Sequence, residues 1–262
     1  LSDRGFLLEG KAFSVGARIE HLQQSIDRAQ YGDLAGHPSL GAAEYKLSYH
    51  SKSGRSAYTF CMCPGGLVVA AASESGMVVT NGMSYHSRAG KNANSALLVG
   101  VDPSDFGLHP LAGVAFQRRL EEAAFSAGGG DYRAVCQTVG DFMEGRKSSS
   151  FGSVEPSYRP GVSCGDLRQV LPNFVTQTIR DAMVVFDSRL RGFGSADAVL
   201  TGVETRSSAP LRILRNDAGH ASVAGVYPAG EGAGYAGGII SAAVDGLRAA
   251  EQLIGRYAPP LP

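Results

Sequence analysis

The sequence has few cysteines, no net charge and no long apolar run, and each shortage removes a class of function. Four cysteines in 262 residues, Cys61, Cys63, Cys136 and Cys164, are neither dense nor regularly spaced enough for a disulfide scaffold. Lys plus Arg equals Asp plus Glu at 24 each, so no global field draws the chain to nucleic acid or to an anionic membrane surface. No stretch approaches the roughly 18 apolar residues of a spanning helix. The first residues lack the charged and apolar regions of a secretory signal. A reducing, cytoplasmic setting is therefore the expectation. His21, His37, His50, His86, His109 and His220 are scattered without HExxH or HxxxH spacing, so no metal site is expected. The GxSxG nucleophile elbow of the ordinary hydrolase route is missing as well. What remains is an ordinary globular composition, 44% hydrophobic, with room for one large domain or two small ones.

The most informative segment is residues 225–246, GVYPAGEGAGYAGGIISAAVDG. A strand-like apolar run at 223–229 enters a turn carrying Gly230, Gly232, Gly234, Gly237 and Gly238, and an alanine-rich helix pattern over 239–254 leaves it. Glycines let backbone N–H groups approach a ligand without Cβ interference, and the helix start behind them offers unpaired donors and partial positive charge. Gly232, Gly234 and Gly237 spell the dinucleotide fingerprint GxGxxG. The literal reading fails, because too few residues follow Gly237 for the second parallel strand and its acidic ribose ligand. The segment reads instead as the last strand and helix of a sheet, followed by a proline-rich tail at 258–262.

These residues resemble the C-terminal motif of FAD-dependent dehydrogenases in the glutathione-reductase-like class of two-dinucleotide-binding flavoproteins. The segments FSVGARIEH (13–21), FCMCPGG (60–66), VVTNGMS (78–84), KNANSALLVG (91–100), SYRPGV (157–162) and LTGVETRSSAPLRI (200–213) extend the resemblance to a group of bacterial, uncharacterised FAD-dependent dehydrogenases. The resemblance implies FAD as cofactor, with Gly230, Glu231, Gly232, Gly234, Gly237, Gly238 and Ile239 as its contacts. Glu231 would meet the ribityl or pyrophosphate-linking hydroxyls, and Gly237, Gly238 and Ile239 the flavin pyrimidine edge. Such proteins begin with a GxGxxG for the ADP half, which this chain lacks, so it is expected to be the C-terminal half of a longer flavoprotein.

Elsewhere the pattern predicts strands at 12–20, 55–60, 66–71, 77–80 and 95–101, forming an antiparallel sheet. A short helix or ordered loop is expected at 21–31, and an amphipathic helix at 110–127 that ends at Gly128–Gly130. A strand and turn are expected at 135–144. A helix should begin near Cys164 or Asp166, break at Pro172 and resume at 174–186; strands return at 198–203, 211–214 and 225–229. The expected fold is α+β: a mixed or antiparallel-sheet substrate domain at 1–194, then the C-terminal strand and helix of an FAD-binding Rossmann-like domain at 195–262. By analogy with the resembled class, the substrate domain is inserted within the FAD domain.

Cys61 and Cys63 would share a face of a regular strand, where a thiolate could meet a flavin, a substrate carbonyl or a metal. Their structural reading is as small buried hydrophobes, and same-face neighbours are poor disulfide partners. Glu204 and Arg206 could form a polar cluster near the cofactor or an exposed ion pair of little weight. Cys63, Glu204 and Arg206 are the candidate substrate-pocket residues, with His21 and Arg18, beside Glu20, next for substrate contact. Asn81–Gly82–Met83 reads as a type I′ hairpin turn, with a polar stop before a substrate pocket as the alternative.

The leading expectation is part of an FAD-dependent oxidoreductase transferring hydride between a small-molecule substrate and flavin. The alternative is a non-catalytic substrate- or partner-binding module, inactive without the missing half. RNA binding would need Arg118, Arg119, Arg133 and Arg146 to form a basic stripe. An unpaired sheet edge at 195–262 is a candidate for dimerisation, as a homodimer, or for loose packing.

Overall fold

A computed structural model describes residues 1–51 and 54–257; the expected tail at 258–262 lies outside the described residues. By its contacts the chain divides into two compact units. One comprises Leu1–Ser14, Val101–Gln117 and Arg206–Pro262, the other Val15–Gly100 and Arg118–Thr205. Among the described residues the fold is mixed α/β, with six α-helices and a large mixed sheet. No helix there is long and apolar enough to cross a membrane.

In chain order the elements are β1 (Leu8–Gly10), β2 (Phe13–Leu22), α1 (Gln23–Tyr31), β3 (Ser48–His50), β4 (Ser56–Ala70), β5 (Thr80–Ser84) and β6 (Asn92–Val101). Then come α2 (Pro103–Phe106), α3 (Ala112–Gly128), β7 (Ala134–Thr138), α4 (Val139–Glu144), β8 (Val162–Cys164) and α5 (Asn173–Arg189). The chain ends with β9 (Val199–Glu204), β10 (Leu211–Ile213) and α6 (Ile239–Tyr257). The large sheet has the order β3-β4-β6-β2-β9-β7-β8, with β5 added to β4; β7 and β8 are parallel, and the β2–β9, β3–β4, β4–β5, β4–β6 and β7–β9 pairs are antiparallel. Strand β9, which the expected division at residue 194 assigns to the later part, is an inner strand of this sheet. Strands β2 and β6 are buried on both faces, so their apolar residues run almost without alternation. Helix α5 buries Val175, Ile179, Ala182, Met183 and Phe186, a stripe of helical period that packs on β3 and β4. Pro172 stands at its N-cap, the expected break. The helix expected from Cys164 or Asp166 is only a single 3-10 turn, Leu167–Gln169.

Three local expectations change. The strands expected at 55–60 and 66–71 are one strand, β4, because two successive bulges let the chain continue past Cys63 without breaking the ladder. Its pairing with β6 runs Phe60↔Ala96, Cys63↔Asn94, Gly66↔Asn92, three-residue steps against two. The expected turn at Asn81–Gly82 lies inside β5, where Gly82 pairs with Val68. The glycine marks a close approach: a Cβ there would collide with the Arg18 guanidinium and the Asn94 amide. Finally, residues 223–229 form no strand. Their backbone turns back on itself, with Ala221 N–H donating to the Val226 carbonyl at 2.9 Å and Gly225 at φ 78, so a loop rather than a strand leads into α6.

Candidate functional site

In the first unit the glycine-rich turn before α6 is held at both ends and open in the middle. Arg215 makes a two-point pair with Asp245 of α6 (2.6 and 3.1 Å) and lies 3.7 Å above the Tyr235 ring. Asp245 Oδ2 also accepts the Gly230 N–H at 2.8 Å, and these bonds hold its carboxyl below the usual carboxylate range. Tyr235 Oη donates to the Ile213 carbonyl at 3.0 Å, and Gly234 lies so close to β10 that a Cβ would strike the Leu211 carbonyl. Between these anchors Gly232, Gly237 and Gly238 have open space where a Cβ would stand. Gly232 and Glu231 line a cleft of about 340 Å³ with Arg206, Gln117 and Ser208. The fold thus gathers Arg206 with two of the expected cofactor contacts.

Helix α6 starts directly behind Gly237 and Gly238. It meets its own unit through polar groups: Asp245, Gln252 to the Asp217 carbonyl (3.2 Å) and Arg256 to His220 (2.8 Å). Its apolar residues point away, with Ile239 88%, Ile240 77%, Leu247 66% and Ile254 61% exposed.

The second unit holds the other two candidates, Cys63 and Glu204, around Arg18. The Arg18 side chain is fully buried, and its guanidinium grips Glu204 through Nε and Nη2, each at 2.7 Å. Nη1 donates to the Cys61 carbonyl and Asn94 Oδ1, both at 3.0 Å, and Nη2 to Asn81 Oδ1 at 3.3 Å. Every donor direction of the fork is used. Burial acts to lower the Arg18 pKa, but the Glu204 carboxylate outweighs it and the net direction is upward. Cys63 Sγ lies 4.0 Å from Nη1 and donates to the Cys61 carbonyl at 3.3 Å. Burial pushes its thiol pKa up while Arg18 pulls it down. Cys61 sits in the left-handed region at φ 44. Asn94 Nδ2 is buried without a partner, 3.0 Å from where a Cβ on Gly66 would stand.

Two residues along β2, Glu20 is wholly buried and accepts from Ser157 Oγ (2.5 Å) and Asn92 Nδ2 (3.0 Å). Burial raises its pKa against these bonds. The sequence signal for this centre is the RIE alternation: charged residues on an otherwise apolar strand must share a face and find partners there. Asn81, Asn92 and Asn94 carry no such signal, since asparagine in a strand reads as punctuation.

The family described as "FAD-dependent protein, C-terminal domain-like" matches residues 12–207. The chain belongs to that family. An "Uncharacterized protein" of Clostridium beijerinckii (strain ATCC 51743 / NCIMB 8052) is 52% identical over 253 residues, covering 95% of this chain and 48% of the relative. The chain therefore spans about half the length of the curated relative it matches. For a member of an FAD-dependent family, the open glycines and the helix start behind them fit a dinucleotide: they provide backbone donors, room for close approach and favourable dipole sign.

The close packing around Arg18 gives a first test. Gly82→Ala forces a methyl into the guanidinium and the Asn94 amide, and it is expected to cost about 1–3 kcal/mol in urea unfolding. An unchanged midpoint would mean that β5 moves aside freely.

Proposed function

We propose that this chain forms part of an FAD-dependent oxidoreductase that moves hydride between a small-molecule substrate and the flavin. The observation that carries this reading is the open glycine backbone of Gly232, Gly237 and Gly238 before a helix start, anchored by Arg215, Asp245 and Tyr235. Bound FAD would supply the hydride chemistry. The chain's own contribution is placement: Gly237, whose N–H now donates to Ser241 Oγ at 3.3 Å, and the backbone N–H groups of Gly238 and Ile239 for an electron-rich ring edge, Glu231 for hydroxyls, and Gly230, Gly232 and Gly234 for a turn that a ligand can approach. Arg206 fits a substrate or cofactor contact, since it lines the same cleft as Glu231. Cys63 and Glu204 stay in the reading as candidate substrate-pocket residues. The reading includes a Rossmann-like FAD domain completed by the remainder of a polypeptide of the relative's length, and a cytoplasmic setting.

The second reading, a non-catalytic module, is favoured by the outward apolar face of α6, which leaves part of that helix's surroundings to another segment or to a second copy in a homodimer. An RNA ligand is disfavoured because Arg118, Arg133 and Arg146 each pair with a carboxylate. Absorbance spectra with and without FAD, for this chain and for a polypeptide extended to the relative's length, separate these readings. Visible flavin bands in the extended form are expected, with Gly238→Glu weakening FAD binding about tenfold or more by putting a carboxylate in the ring-edge position. Colourless protein in both forms would sink the flavoprotein reading.

A further inference from the structure

Residues two apart on a regular strand stand about 6.6–6.8 Å apart with parallel side chains, at the limit of what a disulfide spans. The stretch holding Cys61 and Cys63 is not regular. It carries a bulge on each side of Cys63, and Cys61 adopts a left-handed backbone that a residue with a Cβ rarely takes. Arg18, itself tied by Glu204, clamps the Cys61 carbonyl at 3.0 Å, and the Cys63 thiol closes back onto the same carbonyl. Both thiols lie within electrostatic reach of one guanidinium, which pulls the Cys63 thiol towards thiolate against the larger opposite effect of burial. Cys61 is exposed and Cys63 partly so. Asn94, which pairs with Cys63 across the ladder, keeps its Nδ2 buried without a partner beside the bulge.

We propose that Cys61 and Cys63 form a redox-active dithiol that exchanges with low-molecular-weight disulfides of the glutathione type. The Cys61 thiolate attacks one sulfur of the disulfide, forms a mixed disulfide and expels one thiolate. Cys63 then gives up its proton, attacks the Cys61 sulfur and expels the second thiolate. The protein loses two electrons and two protons, and the small disulfide becomes two thiols. The roles follow from placement: Cys61 is the reachable attacker, and Cys63, hydrogen-bonded and more buried, is the resolver. Arg18 and Glu204 act as positioning residues. The dithiol is independent of the flavin reading.

The test is incubation of the reduced chain with glutathione disulfide, followed by alkylation, digestion and mass spectrometry. The peptide holding both cysteines is expected unalkylated and lighter by two hydrogen atoms. Cys63→Ser is expected to accumulate a glutathione adduct on Cys61, and Cys61→Ser to leave Cys63 free for alkylation. Glutathione adducts on both cysteines without a cross-link, or full alkylation of both in the unmodified chain, would overturn the proposal.

Discussion

Urea unfolding of an Arg18→Met variant is expected to show a loss of about 3–5 kcal/mol. The guanidinium is fully buried, and its removal leaves the Glu204 carboxylate, 4% exposed as a residue, without the two bonds that compensate its desolvation. It also releases the Cys61 carbonyl and the Asn94 and Asn81 amides from the cation that joins β2, β4, β5 and β6. The unpaired charge should dominate over the lost packing, since methionine fills much of the arginine's volume. A double variant, Arg18→Met with Glu204→Leu, is then expected to recover much of the loss, because no buried charge remains to be matched. If Arg18→Met costs under about 1 kcal/mol, water must reach the pair and the centre is not dry. If the double variant is no more stable than the single, the hydrogen bonds to β4, β5 and β6 hold the sheet rather than the charge balance.

This centre shows where sequence reading succeeded and where it stopped. Helices α3 and α5 were legible because their apolar residues repeat with the helical period, and strands β2, β6 and β9 because short apolar runs stand between glycine, proline and asparagine punctuation. Arg18 and Glu20 were legible as unusual, since charge inside an apolar strand demands a partner, but those partners are non-local: Glu204, 186 residues from Arg18, comes with the pairing of β2 and β9, and Glu20 finds Ser157 and Asn92. The Asn81–Gly82 pair shows the limit in the other direction: the glycine answers to a neighbouring guanidinium, and local turn chemistry alone points to a hairpin. The same holds for the cysteines, whose strand geometry depends on bulges that no local signal announces. In the glycine-rich segment the helix was legible and its lead-in was not. An apolar run preceding a helix has no partner strand to pair with at 223–229, and apolarity by itself does not supply one.

His21 gives the second large effect. Its Nε2 lies 2.7 Å from the Phe193 carbonyl, and since a carbonyl only accepts, Nε2 carries the proton and donates it. The ring packs 4.9 Å from Phe193 and edge-on to Tyr45, and Nδ1 is buried with no partner. Protonating Nδ1 would therefore place a cation in an apolar pocket, and burial lowers the pKa from 6.5 to about 4, against the raising influence of the Phe193 carbonyl and Asp187. Between those values the unfolded chain binds a proton that the folded one refuses, so stability rises with pH. The contribution is complete above about pH 6.5 and is lost as pH falls towards 4, amounting to about 3 kcal/mol. Glu20, one residue earlier, works the opposite way: its raised pKa favours the folded state as pH falls through that value. The total profile therefore mixes both groups, and the His21 part is isolated by comparison with His21→Gln, which keeps an N–H for Phe193 and does not titrate. The gap in unfolding free energy between the two proteins is expected to change by about 3 kcal/mol from pH 7 to pH 4; parallel profiles would show that the imidazole reaches solvent and titrates as it does in the unfolded chain.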